Sequence, residues 1–230
     1  MNYLAIGLVF IIIIILYNVY YYVTNNTLTS GLQPLNTQLT FTYDKLINPS
    51  SYTYSYQCWL YISSPTATET KIFYRGNNST TDSLPEFEVD IIGQELLLKG
   101  GKGGKDSPTK IMSITPNFPI QKWVYLVINV YNLQTFEAYI NGKLAKTVNV
   151  SSVNSPVPTS RTSSLYIGDS SLSGYTSKFT RMESTIDAQT VWQNYLNGNG
   201  LSNIFSTLMP YGLNMSISKG EELQRVIQVF

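Results

Sequence analysis

Short runs of β-forming residues recur along most of this chain and are separated by turn signals. The runs alternate apolar with polar residues or are rich in aromatic and β-branched side chains, which is typical of strands. They lie at 39–45, 51–63, 70–76, 86–92, 94–100, 109–115, 122–131, 134–140, 143–150, 163–169 and 177–183. Many short strands at this spacing predict an all-β antiparallel sandwich and argue against a parallel α/β sheet.

One hairpin is marked by its turn. The stretch "FEAYINGKLAKTV", residues 136–148, places Asn141 and Gly142 between two β-forming runs. Both central positions of a type I′ turn need a positive φ angle, which Asn and Gly tolerate best. Asn141 and Gly142 therefore predict the turn of a hairpin that directly follows the strand "WVYLVINVY".

One helix stands out near the end of the strand-rich part. Asp187 can cap "AQTVWQNYLNG", and Gly198 can end the helix. Its predicted apolar stripe consists of Val191, Trp192, Tyr195 and Leu196. After the helix, "YGLNMSISKGEELQRVIQVF" predicts a final hairpin that turns at Lys219-Gly220.

The N-terminus carries a run of 20 residues without a charge, from Leu4 to Val23, broken only by Asn18. At about 1.5 Å per residue it would span roughly 30 Å, the thickness of the bilayer hydrocarbon. A cleaved signal peptide fits less well, because no basic residue precedes the run and bulky residues follow it. A buried core helix fits less well because the run is apolar on every face. The predicted anchor includes Leu4, Ile11, Ile12, Ile13, Ile14, Ile15, Leu16 and Val23. Its orientation stays open.

Composition excludes several kinds of site. The chain has no histidine, which excludes Ser-His-Asp and Cys-His catalysis and metal sites that need imidazole. Its one cysteine, Cys58, allows no intrachain disulfide and lies in a predicted buried strand. Charges are nearly balanced, with 15 basic and 14 acidic residues, which argues against a nucleic-acid partner.

The order of these motifs resembles the concanavalin A-like, laminin-G-like jelly-roll domain. A strand led by Trp123 runs into "AYINGKL", a Pro/Ser loop follows, then "LYIGD" and a short capped helix that ends in "YLNG". The resemblance covers roughly residues 38–200 and implies a concanavalin A-like β-sandwich. The predicted organisation is a transmembrane anchor at 1–23, a linker at 24–37, the sandwich at 38–200, and a C-terminal extension at 201–230 whose hairpin packs on the sandwich.

The whole chain also resembles membrane or minor capsid-associated proteins of large nucleocytoplasmic DNA viruses. The resemblance rests on the hydrophobic anchor, the composition rich in Tyr, Asn and Ile, and the tail after the helix. It implies a single-pass protein of an internal virion membrane or a host-derived membrane. The implied partners are the membrane itself and either a capsid or scaffold protein or a glycan.

The stretch "EFEVD" is the candidate for catalysis. Glu86, Glu88 and Asp90 fall at i, i+2 and i+4, and on a strand they would face one side. Laminarinase-like glycoside hydrolases, which share the fold, carry an E-x-D-x-E set, but the order here is E-x-E-x-D. The favoured interpretation is that the carboxylates face water, while Phe87, Val89 and Ile91 face the core. The sequence therefore favours a protein that is not an enzyme.

The resemblance also raises a calcium site at the sandwich rim, because laminin-G-like domains often bind calcium there. The loop candidates are Asp82, Asp106 and Asp169, but they do not form a cluster in the sequence. We therefore expect no cofactor, with calcium as the alternative.

The stretch "KGGKGGKDSP", residues 99–108, places Lys99, Lys102 and Lys105 among four glycines. It is not a phosphate-binding P-loop, because Asp106 follows where Ser or Thr is needed. A soluble hairpin tip is favoured over a surface that binds anions.

Together these observations predict a membrane-anchored, lectin-like binding or structural module. The first alternative is a membrane-tethered glycoside hydrolase of the laminarinase-like class. The second is a cellular carbohydrate-binding lectin, which would carry glycans at Asn77 or Asn78. The sequence does not select a binding cleft, a ligand or an oligomeric state.

Overall fold

The computed structural model describes residues 10–17, 27–29, 31–76, 87–100, 109–150 and 163–199, together with the backbone of 214–219 and 222–228. A helix, α1, covers 10–17. The first strands are β1 (Thr27–Thr29), β2 (Gln33–Pro34), β3 (Leu39–Phe41), β4 (Tyr54–Ile62), β5 (Thr66–Gly76), β6 (Phe87–Gly93), β7 (Glu95–Gly100) and β8 (Thr109–Thr115). They are followed by β9 (Trp123–Tyr131), β10 (Thr135–Ile140), β11 (Lys143–Asn149), β12 (Ser164–Ile167), β13 (Gly174–Met182), helix α2 (Ala188–Leu196), β14 (Asn214–Lys219) and β15 (Glu222–Gln228).

Two antiparallel sheets form the sandwich. The seven-stranded sheet has the order β1-β13-β4-β9-β10-β11, with β2 also paired to β13. The six-stranded sheet has the order β3-β12-β5-β6-β7-β8. The predicted all-β antiparallel sandwich is therefore confirmed, and its arrangement is that of a jelly roll.

The core lies between the sheets and is rich in aromatic rings. Tyr56 of the seven-stranded sheet lies 5.6 Å from Phe73 and 5.3 Å from Phe87 of the six-stranded sheet, measured between ring centroids. Burying each such side chain contributes about 1.5–3 kcal/mol. Cys58 is 1% exposed within this core, as predicted, and burial raises the pKa of its thiol.

Helix α2 lies on the outer face of the seven-stranded sheet. Asp187 caps it as predicted, because its carboxylate accepts a hydrogen bond from the Thr190 backbone N–H. Val191 is buried against the sheet, but Leu196 is 63% exposed and Trp192 is 40% exposed. The predicted apolar stripe was thus too wide, since a helix on an outer face buries only the side that meets the sheet.

The predicted hairpin turn is confirmed. Asn141 and Gly142 have φ angles of 51° and 79° between β10 and β11. The Asn141 backbone N–H donates to the Tyr125 carbonyl oxygen at 2.8 Å, and Asn141 Oδ1 accepts from the Tyr125 N–H at 2.9 Å. The turn is therefore fastened to strand β9 as well as closing its own hairpin.

Some predicted boundaries were wrong. Strand β3 ends at Phe41, because Tyr43–Lys45 forms a 3-10 turn. The segment 24–37, predicted as a linker, contributes β1 and β2, which pair with β13. The C-terminal hairpin is confirmed, with Lys219 opposite Glu222.

At the N-terminus, residues 1–9 and 18–26 of the chain lie outside the described residues, so α1 covers only the middle of the predicted anchor. Among the described residues, no helix reaches the length and apolarity needed to cross a bilayer.

Candidate functional site

A pocket of about 340 Å³ opens on the outer face of the seven-stranded sheet, beside the C-terminal end of α2. Its walls come from five elements and the residue that follows α2. They are Thr27 of β1, Gln57 and Trp59 of β4, Tyr125 of β9, Lys178 and Thr180 of β13, Asn194 of α2, and Asn197. Pockets that bind small molecules begin at about 300 Å³, so this volume suits a short recognition unit.

Aromatic rings form the apolar wall of the pocket. Trp59 and Tyr125 come from neighbouring strands, and their ring centroids lie 5.2 Å apart. Trp59 also stacks on Tyr195 of α2, with ring centroids 5.7 Å apart. Because strand residues alternate between faces, Gln57 and Trp59 point outward while Cys58 points into the core.

Amide and hydroxyl groups line the rest of the pocket. Gln57 Oε1 accepts hydrogen bonds from the Tyr125 hydroxyl at 2.5 Å and from Asn194 Nδ2 at 3.2 Å. Burial raises the pKa of Tyr125, so its phenol stays protonated and donates at neutral pH. Within the described part of the chain, the side chain of Asn197 makes no hydrogen bond. The pocket thus combines aromatic surface with fixed polar groups, which is what a sugar ring requires.

A second polar cluster lies on the outer face of the six-stranded sheet. Glu88 and Asp90 of β6 are each 1% exposed, and they are covered by two lysines. Lys71 Nζ lies 3.0 Å from Glu88 Oε2, and Lys99 Nζ lies 3.1 Å from Asp90 Oδ2. Lys99 also pairs with Glu69.

The charges of this cluster are tightly coupled. Burial, and then repulsion from Glu88, raises the pKa of Asp90 to about 7. Burial also lowers the pKa of Lys99. Three carboxyl groups face two ammonium groups, so a proton on Asp90 leaves the cluster without net charge.

The structure tests the predicted catalytic set only in part. Glu86 lies outside the described residues, while Glu88 and Asp90 are brought together. The prediction that the carboxylates face water was wrong for these two, because Lys71 and Lys99 cover them. An acid with a raised pKa beside a second carboxylate is what a retaining glycosidase uses. Here both groups are closed to solvent and bound by ammonium groups.

The predicted calcium ligands do not come together in the described residues. Asp82 and Asp106 lie outside them, and Asp169 Oδ1 accepts hydrogen bonds from the backbone and hydroxyl of Ser171 at 2.9 and 2.6 Å. Glu69, Glu88 and Asp90 do form a three-carboxylate group, but the Lys99 ammonium group already binds it.

The prediction that residues 99–108 form a soluble hairpin tip is wrong for Lys99. Lys99 is largely buried in the cluster, with 15% of its side chain exposed. Lys102 and Lys105 lie outside the described residues.

Sequence reasoning missed the pocket, although part of its signal was present. In "YSYQCWLYI" the outward residues include Gln57 and Trp59, and in "WVYLVINVY" they include Tyr125. Aromatic and amide side chains on the face opposite the core residues mark a covered or ligand-binding surface. Asn194 and Lys178 lie beside them only because of tertiary packing, so the residues that neighbour them in the sequence do not predict this placement.

The comparisons with known proteins agree with this architecture. A family model described as the concanavalin A-like lectin/glucanases superfamily matches residues 35–200. The chain belongs to this superfamily. The matched range contains the whole carboxylate cluster. It also contains every pocket residue except Thr27. Among curated protein sequences, none matches the chain.

Solved structures that resemble this superfamily member include receptor-binding parts of botulinum neurotoxins. Type C, which depends on two ganglioside molecules to enter cells, is 14% identical with a TM-score of 0.53, covering 74% of this chain and 45% of that one. The serotype D ligand-binding domain with N-acetylneuraminic acid is 14% identical with a TM-score of 0.55, covering 73% and 42%. The DC binding domain with rat synaptotagmin II is 14% identical with a TM-score of 0.52, covering 74% and 45%. The chain therefore spans less than half of these structures, and the likeness is one of fold.

Proposed function

We propose that this protein is a membrane-anchored, lectin-like recognition module that binds a glycan in the pocket beside α2. The observation that carries the proposal is the pocket itself. Trp59 and Tyr125 are 6% and 3% exposed, so the small part of each ring that lines the pocket offers apolar contact to a sugar. Asn194 and Asn197 offer amides to its hydroxyl groups.

The superfamily supports recognition of a ligand, because its description joins lectins with glucanases. The similar toxin structures bind gangliosides, N-acetylneuraminic acid or synaptotagmin. One fold hosts many functions, so these neighbours support the ligand class only by analogy. The argument for a glycan therefore rests on the chemistry of the pocket.

The proposed anchor is the segment 1–23. Its described part, α1, is apolar throughout, and the side chains from Phe10 to Tyr17 are between 47% and 65% exposed. A contiguous apolar surface of this kind is unfavourable in water and favourable in lipid. Flotation with phospholipid vesicles tests the anchor: the full chain should float with the vesicles, and a chain lacking 1–23 should remain at the bottom of the gradient.

In the finer proposal, the module sits in an internal virion membrane or a host-derived membrane and links that bilayer to a shell protein or a glycan. This part rests on the resemblance to viral membrane and minor capsid-associated proteins. A fractionation of purified particles tests it, because the protein should remain with the membrane after the outer shell is removed.

A glycan array with the full chain tests the proposed binding. The chain should be kept in a non-ionic detergent without a sugar headgroup, since such a headgroup would compete for the pocket. We expect Asn194→Ala and Asn197→Ala each to weaken binding by roughly tenfold, the worth of one or two hydrogen bonds. Asn149→Ala is the matched control, because Asn149 is an exposed amide on the edge strand β11, which contributes no residue to the pocket as described. If a folded sample binds no glycan on the array, glycan binding is contradicted and a protein partner becomes the favoured interpretation.

The hydrolase alternative rests on one observation, the pairing of Glu88 with an Asp90 whose pKa is raised to about 7. It requires that the side chains of Lys71 and Lys99 move away so that a substrate can reach the two carboxyl groups. If the purified chain cleaves a β-glucan, Glu88→Gln should abolish that cleavage. Cleavage that persists in Glu88→Gln would remove this cluster from the reaction.

A further inference from the structure

The geometry points to an acidic sugar, one that carries a carboxylate, as the ligand of this pocket, with Lys178 as the group that selects it. This inference rests on the proposed glycan binding and adds the class of sugar. Its evidence is the way strand β13 is built at Lys178.

Lys178 is the extra residue of a β-bulge. In the pairing of β13 with β4, Ser177 lies opposite Trp59 and Thr180 lies opposite Gln57. Two residues, Lys178 and Phe179, therefore occupy the space opposite Cys58, whose side chain points into the core. Phe179 takes the core position and is fully buried. The bulge frees Lys178 from the inward position that regular alternation would give it.

The backbone at Lys178 adopts an unusual conformation. Its φ angle is 48°, in the left-handed region that few residues other than glycine adopt. Glycine would relieve this cost, yet the position carries a lysine whose side chain lines the pocket. A local cost of this kind is often found where a side chain has a binding role.

Among the described residues, one hydrogen bond holds the ammonium group of Lys178 in place. Its Nζ donates to the Gly198 carbonyl oxygen at 2.8 Å, which fixes the amine beside the loop that follows α2. Lysine has three donors, and within the described part of the chain only this one bond occupies them, which leaves two for a ligand. Among the described residues, no carboxylate lies within ion-pair distance of Lys178, and no acidic residue lines the pocket.

These features match a carboxylated sugar better than a neutral one. The carboxylate can take the two remaining Lys178 donors, while the ring contacts Trp59 and Tyr125. A charged hydrogen bond in a half-buried site is stronger than a neutral one, so the charge should dominate the choice of sugar.

The test compares matched sugars that differ only in charge, bound to the full chain in non-ionic detergent. The probes are sialyllactose with lactose, and a glucuronate-terminated disaccharide with its glucose-terminated parent. We expect each carboxylated sugar to bind about tenfold more tightly than its neutral parent, as one charged hydrogen bond implies. A sulfated lactose distinguishes carboxylate recognition from attraction to any anion, and equal binding of sulfated and carboxylated sugars would overturn the choice of a carboxylate.

The variant Lys178→Met should weaken the binding of the carboxylated member of each pair about tenfold more than the binding of its neutral parent, and so remove the preference. Lys146→Met is the matched control, because Lys146 is exposed on the edge strand β11, and it should keep the preference. If Lys178→Met does not fold, a salt series on the unaltered chain serves instead, since screening should weaken only the charged member of each pair. Equal binding of both members by the unaltered chain overturns this inference and leaves glycan binding intact. Failure of all sugars to bind overturns both.

Discussion

Gly142, in the turn between β10 and β11, lies directly beneath the indole of Trp192 on α2. A Cβ atom placed on Gly142 would lie 2.5 Å from Trp192 Cε3 and 3.3 Å from Tyr195 Cβ. The hairpin turn therefore packs directly against helix α2 as well as linking two strands. Asn194 of the same helix lines the pocket, and Tyr195 stacks on the pocket residue Trp59, so the turn helps to position the candidate site.

Replacing Gly142 with alanine should destabilise the protein through two separate effects. The left-handed φ of 79° costs a residue with a Cβ about 1–2 kcal/mol. The contact with Trp192 should add about 1–3 kcal/mol, the usual cost of overpacking. Gly93→Ala is the control, because Gly93 has a φ of 60° and nothing within 4 Å of the added atom. Urea denaturation should show a larger loss for Gly142→Ala; equal losses would mean that the helix moves aside freely.

Lys99 should be essential to the second polar cluster. Replacing it with methionine leaves Glu69, Glu88 and Asp90 without their shared cation, and breaking a buried ion pair costs about 3–5 kcal/mol. The loss should shrink below pH 7, where Asp90, whose pKa is raised to about 7, holds a proton and needs the cation less. Lys110→Met, which removes an exposed pair with Glu95, should change the free energy of unfolding very little.

Asp90 should give the protein a distinct dependence on pH. Its pKa is raised from the ordinary 3.8 to about 7, so between these values the folded protein holds a proton that the unfolded chain has released. The free energy of unfolding therefore falls as the pH rises through this window, and the effect levels off above pH 7. Asp90→Asn removes the titration, so the stability of the variant relative to the unaltered chain should rise from pH 4 to 7.

The control for this titration is Asp187→Asn. The hydrogen bond from Thr190 lowers the pKa of Asp187, so its contribution is present above the ordinary pKa and is lost as the pH falls below it. Its difference curve should therefore change at lower pH and with the opposite sign. A flat difference curve for Asp90→Asn across pH 4 to 7 would contradict the raised pKa.

Local patterns predicted the parts of this fold that depend on local chemistry. The alternation in "TKIMSIT" gives β8 as Thr109–Thr115, and Asn141-Gly142 gives the hairpin turn, because face and turn type follow from neighbouring residues. The core position of Cys58 follows from the same alternation.

The candidate site depends on contacts that such patterns do not contain. The pocket joins β4, β9, β13 and α2, and the sequence does not specify which strands become neighbours. Alternation even places Lys178 on the wrong face, because it cannot foresee the bulge. The burial of Glu88 likewise depends on Lys71 and Lys99 from the adjacent strands β5 and β7. Side chains that act across strands are thus the ones that sequence reasoning missed.

Asn129 should hold α2 on the sheet, and so should affect both stability and binding. It is fully buried, its Nδ2 donates to the Ile186 carbonyl oxygen at 2.8 Å, and its Oδ1 accepts from the Ile186 N–H at 3.0 Å. Asn129→Ala leaves both backbone groups of Ile186 unpaired, at a cost of about 1–3 kcal/mol for each. Because Ile186 directly precedes the cap of α2, the helix should loosen and the affinity of the pocket for glycan should fall. Asn149→Ala, which removes only an exposed bond to Thr135, should alter neither denaturation nor glycan binding. A loss of stability without a loss of affinity in Asn129→Ala would show that the pocket does not depend on the seating of α2.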